Sequence, residues 1–127
     1  MTRIKMGGRE LALAFTIGAM DRLEDKLGEP VELESIKETI VAQLKDRRKL
    51  VTILAILSAE GAALDGGEAV DEAWLKQHVR PGMLPRAQMA VLEAVADGLR
   101  MESGEGDEDE EVDAVLEELK KKPAQGA

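Results

Sequence analysis

Arg47-Arg48-Lys49-Leu50-Val51-Thr52-Ile53-Leu54-Ala55-Ile56-Leu57-Ser58-Ala59-Glu60-Gly61-Ala62-Ala63 is the most apolar helical stretch of this 127-residue chain. Leu50, Val51, Ile53, Leu54, Ile56 and Leu57 cover much more than one helical stripe. A helix that is apolar nearly all round belongs at the centre of its fold. Gly61 is expected to weaken this helix at its end near Ala63, and Asp65-Gly66-Gly67 to form a loop.

Working outward toward the N-terminus, Leu33, Ile36, Ile40, Val41 and Leu44 recur at helical spacing. That run either stops near Lys45 or Asp46 or continues into the central helix. Before it, Ile17, Met20, Leu23 and Leu27 share one helix face, with Thr16 as the cap and Gly28 and Pro30 as the stop. Arg3-Ile4-Lys5-Met6 alternates polar and apolar, and so does Arg9 to Phe15, with Leu11, Leu13 and Phe15 on one face. Gly7-Gly8 between them supplies the positive φ angles of a two-residue hairpin turn. A lone hairpin is marginal in water, so it must pack on the helices or pair with another edge.

Toward the C-terminus, Asp71 caps a short helix from Glu72 to about Val79 that carries Trp74 and Leu75, and Pro81-Gly82 breaks it. A further helix starts near Pro85 and runs to about Met101, with Gln88, Val91, Leu92, Val95 and Leu99 on its buried side. The expected fold is mainly α (α+β): an N-terminal β-hairpin, a bundle of about five helices over residues 1–101, and an acidic segment over 102–127.

The formal net charge of -9 is concentrated in that last segment. Residues 102–122 carry ten acids and three bases, leaving residues 1–101 nearly neutral. Blocks of like charge usually act as tethers or interaction tails. Val112, Val115, Leu116 and Leu119 lie within the block at helical spacing, and Pro123 closes the run. So short a helix does not stand alone, because nucleation is costly. It either folds back on its own body or docks on a partner.

The composition excludes several chemistries. Without cysteine there are no disulfides, thiolate zinc sites, iron–sulfur clusters or thiol nucleophiles. One Trp, one Phe and no Tyr are too few for base-stacking RNA modules or aromatic cation cages. His78 stands alone near a helix end and reads as structural rather than as a ligand or base. Asp107, Asp109, Glu111 and Glu118 match four positions of a calcium loop, but Val112 occupies the turn position that needs glycine. No cofactor or metal is expected, and no nucleophile–base pair or phosphate loop points to an enzyme. Lys45, Arg47, Arg48 and Lys49 form a basic cluster of the kind that touches phosphates. The residues that follow are apolar, whereas a recognition helix needs polar side chains to reach base edges, which argues against nucleic acid. The uncharged stretch Leu50–Ala59 is half a membrane span, and no basic-then-apolar leader opens the sequence. The expectation is a cytoplasmic protein that does not cross a membrane.

Gly8-Arg9-Glu10-Leu11-Ala12-Leu13-Ala14-Phe15-Thr16-Ile17-Gly18-Ala19-Met20, followed by Leu23-Glu24 and Leu27-Gly28, resembles the tail assembly chaperones of long-tailed bacteriophages and gene transfer agents. In that family a hairpin leads into a Thr-x-Gly-Ala helix start and a Leu-Glu-x-x-Leu/Phe-Gly helix end. The resemblance extends over roughly residues 2–101 and leaves out the acidic segment. It implies a non-enzymatic assembly factor that binds the tape measure protein and keeps it soluble while tail tube protein polymerises. Such a factor is absent from the mature virion. It also implies that a longer frameshifted product can exist, for which Lys120-Lys121-Lys122 marks a possible slippery codon run.

For such a role, adaptable methionines including Met83 and Met89 offer contact surface, beside Val112, Val115, Leu116 and Leu119. Arg3, Ile4, Lys5 and Met6 offer a strand edge through which copies can form a ring or spiral. The competing expectation is a small regulatory protein, either a helix-turn-helix DNA binder working through the basic cluster or an acidic antitoxin-like inhibitor.

Overall fold

A computed structural model describes residues 1–100. The acidic segment, with Val112, Val115, Leu116 and Leu119, lies outside the described residues.

Strands β1 (Thr2–Met6) and β2 (Arg9–Leu13) form an antiparallel hairpin in which Ile4 faces Leu11 and Lys5 faces Glu10. Gly7 and Gly8 turn the chain at φ 60° and 80°, the left-handed region that glycine enters without steric cost. Five helices follow: α1 (Ile17–Leu27), α2 (Ile36–Leu44), α3 (Arg47–Asp65), α4 (Glu72–His78) and α5 (Leu84–Gly98). Short 3₁₀ turns at Leu33–Ser35 and Pro81–Met83 lead into α2 and α5.

Local chemistry sets most of these boundaries. The Thr16 hydroxyl accepts the Ala19 N–H at the start of α1, and Gly28 ends that helix. Asp46 accepts the N–H groups of Arg48 and Lys49, so α2 and α3 are separate helices rather than one continuous run. Asp71 accepts the Trp74 N–H and opens α4.

The central position expected of the apolar stretch is what the fold shows. α3 packs against β2 and against α1, α2, α4 and α5. From Leu50 to Ala62 no residue of α3 is exposed. The hairpin lies on α3 through β2 and on α5 through β1, burying Ile4, Met6, Leu11 and Leu13. The opposite faces of the strands carry polar side chains.

Three readings are corrected. α3 does not weaken at Gly61 but continues to Asp65, with Gly66 as its left-handed cap. Gly61 is a crossing point: a Cβ there would lie 1.9 Å from the Ala12 carbonyl oxygen. Because that side of the helix is bare, the Ala14 N–H reaches the Leu57 carbonyl one turn back at 3.1 Å. Ile17 is 78% exposed, Leu33 58% and Val41 42%, so none of the three belongs to the core. The buried faces are instead carried by Ala19 and Leu23 in α1 and by Ile36, Ile40 and Leu44 in α2. Ile17 opens α1, Leu33 lies in the turn before α2, and Val41 sits on the outer side of α2, so each buried stripe is narrower than the apolar spacing implies. Finally, α5 stops at Gly98, where a Cβ would sit 2.3 Å from the Phe15 carbonyl oxygen.

Arg3 ties the hairpin to the end of α3 through two 3.0 Å hydrogen bonds donated to Asp65. That pairing, by hydrogen bonding first and charge second, holds the Asp65 carboxyl below its ordinary range. A depressed folded value stabilises the fold above the unfolded value of about 4, and the gain is lost as pH falls through the lower folded value. Asp65→Asn should therefore flatten the loss of stability below about pH 4, measured as urea midpoints against pH. Because both partners are exposed, the difference is expected to be small.

Candidate functional site

An open groove of about 790 Å³ lies between α1, α3 and the segment leading into α4. Its floor is apolar and comes from Ala55, Ile56 and Ala59 of α3, Ala69 and Val70 of the connection, and Trp74 of α4. The alanines keep it wide, since a larger side chain at any of them would fill the trough. Ser58, buried behind the floor, donates to the Ala55 carbonyl at 3.1 Å and lies 3.4 Å from the Val70 carbonyl. This fixes the connection against α3.

Charges of both signs rim the groove. Arg22, Asp25 and Lys26 come from α1, Asp71 and Glu72 from the start of α4, and Arg9 from β2. Several are already engaged. Asp71 caps α4, and the Thr52 hydroxyl lies 3.1 Å from the Glu72 carboxylate. Arg9 stands over the Trp74 ring at 5.4 Å and meets Glu68 at 3.4 Å. Arg22 pairs with Glu60 at 3.3 Å, and Glu60 also accepts the Thr16 hydroxyl, which locks the start of α1 to α3. The arrangement offers an apolar trough with a charged border, part of which is already paired. It can take the apolar face of a helix.

His78 stacks on Trp74 with ring centroids 4.5 Å apart and donates from Nδ1 to the Trp74 carbonyl at 2.9 Å. Its backbone, with Trp74, sits against the hairpin turn, where a Cβ on Gly7 would come within 2.8 Å of both side chains. Among the described residues no cluster of three or more His, Asp or Glu side chains could hold a metal ion. No helix among them is long and apolar enough to cross a membrane.

The residues expected to bind partners are not brought together. Met89 is 57% exposed on α5, while Met83 is half-buried against the core, and neither lines the groove. Ile4 and Met6 are buried, and Arg3 is held by Asp65. What β1 presents outward is therefore its backbone and the exposed Lys5 side chain, not an apolar edge. The basic cluster sits at the break between α2 and α3. Beyond it α3 is enclosed, which leaves no face to lie in a DNA groove.

Sequence reasoning missed the groove. Its signal is the run of alanines on one side of α3 and in the connection to α4, which reads as core filler until the flanking elements are in place. No protein-family model, no curated protein and no solved structure matches this chain.

Proposed function

We propose that this chain is a non-enzymatic tail assembly chaperone of a long-tailed phage or gene transfer agent. It binds the tape measure protein in the host cytoplasm, keeps it soluble while tail tube protein assembles, and is left out of the mature virion. The observation that carries this reading is the 790 Å³ groove, with its apolar floor and charged border. A tape measure protein presents long helices with apolar faces, and helix-in-groove binding buries such a face without requiring the client to fold further. The resemblance at Gly8 to Gly28 supports the same reading, because those residues build β2 and α1, which bring Arg9, Arg22, Asp25 and Lys26 to the border of the groove.

Co-expression with the tape measure protein tests it. The soluble fraction of the client should rise several-fold, and the two chains should co-purify. Ala73 is exposed and lines the groove, so Ala73→Glu should leave the melting temperature unchanged. It should weaken client capture by about tenfold or more, as expected for a charge buried against an apolar face. No gain in client solubility with the unaltered chain would defeat the proposal.

A further inference from the structure

A second groove, of about 310 Å³, opens where the first turns of α3 meet the end of α4 and the start of α5. Val51, Leu75, Val79 and Leu84 give it an apolar lining. Its charged lining residues are Arg47, Arg48 and Lys76, and no acid lines it. All three cations are exposed, and among the described residues none is in an ion pair. The nearest acid on the same helix end, Asp46, is occupied in capping α3. The partial positive charge of the α3 N-terminus adds to the field. An apolar slot under unpaired cations fits an acidic amphipathic segment.

The chain carries one. Residues 107–119 contain eight acids and no base, with Val112, Val115, Leu116 and Leu119 at helical spacing. The tether between them is long enough. The groove touches Leu84 at the start of α5, and the described chain ends at Arg100, about 24 Å further along at 1.5 Å per residue. Residues 101–111 span up to about 36 Å when extended. A flexible chain of that length has an end-to-end distance of roughly 17–20 Å, close to that gap. A tether so matched gives an effective concentration on the order of millimolar. A free-peptide Kd of about 100 μM would then leave the segment docked ~90% of the time.

We propose that the stripe Val112, Val115, Leu116 and Leu119 of this chain docks in cis in the groove lined by Arg47, Arg48 and Lys76, covering its apolar slot while the acids of residues 107–118 neutralise its cations. The proposal is independent of the tape measure reading, since it concerns a different groove and requires no client.

Because the chain has no cysteine, a nitroxide can be placed on the full-length protein at Ala114→Cys alone. Amide signals of Val51, Lys76 and Val79 should fall to about half or less of their intensity with the reduced label, in line with a mostly docked tether. They should recover as salt is raised, because the cations are exposed. Adding Val115→Asp and Leu116→Asp keeps the acidity and removes the apolar contact, so the signals should also recover. Undiminished signals at these residues overturn the proposal. So does broadening that survives the two Asp substitutions, which would mean diffuse charge attraction without docking. Equal broadening of isotope-labelled chains without a spin label, when they are mixed with spin-labelled chains, overturns it as well, since the occupant would then be a second copy.

Discussion

Replacing Gly61 with alanine is expected to lower the melting temperature by roughly 12–24 °C, from a loss of about 3 kcal/mol in a domain of this size. In an ordinary helix interior the same change stabilises by about 1 kcal/mol, so the sign of the effect is diagnostic. The reversal follows from geometry. An alanine Cβ would lie 1.9 Å from the Ala12 carbonyl oxygen and 2.4 Å from its carbon, and both are backbone atoms that cannot rotate away. The hairpin would have to lift from α3, which stretches the bond from the Ala14 N–H to the Leu57 carbonyl. It also loosens Leu11 and Leu13, both buried on that side. Thermal unfolding followed by circular dichroism reads the shift. A variant as stable as the parent would mean that β2 does not cross α3 at this point.

Leu57→Ala is expected to cost on the order of 3–5 kcal/mol. The Leu57 side chain is fully buried in the middle of the helix that every other helix touches. Its neighbours along the core, Ile53 and Leu54, are held by the same packing and cannot collapse into the space it leaves. The backbone bond from Ala14 does not involve the side chain, so the loss reports the cavity. Urea unfolding with an unchanged slope should show it as a shift of the midpoint. A loss below about 1 kcal/mol would place Leu57 at a surface instead. Combined with Gly61→Ala, the two losses should not add, because the sites lie one turn apart on α3.

These two substitutions differ in what reveals them. The importance of Leu57 is legible from its neighbours in sequence, because a helix with apolar residues on nearly every side has to be enclosed. That of Gly61 is not, because a glycine near the end of an apolar run reads equally as a fraying signal. The same division runs through the molecule. The turn at Gly7-Gly8 and the caps at Thr16 and Asp71 are satisfied by atoms a few residues away and follow from the sequence, whereas the spacing leaves open whether the run before Asp46 continues into α3. The exposure of Ile17, Leu33 and Val41 does not follow, since it depends on which neighbouring element passes over the edge of each stripe.

The candidate site was least legible of all. Half of its floor residues are alanines, whose pattern is the same whether a helix lies across them or solvent does. Arg9, Arg22 and Asp71 come from three elements separated by many residues, and only their packing on α3 assembles them into one border. The sequence by itself determined a hairpin, about five helices with most of their starts, and the identity of the central one, because those features are fixed by interactions within a turn or a single face. Tertiary structure alone decided where β2 crosses α3, which apolar residues stay in solvent, and where the two grooves open. Each of these is a relation between surfaces distant in the chain, fixed by volume and close approach rather than by local pattern.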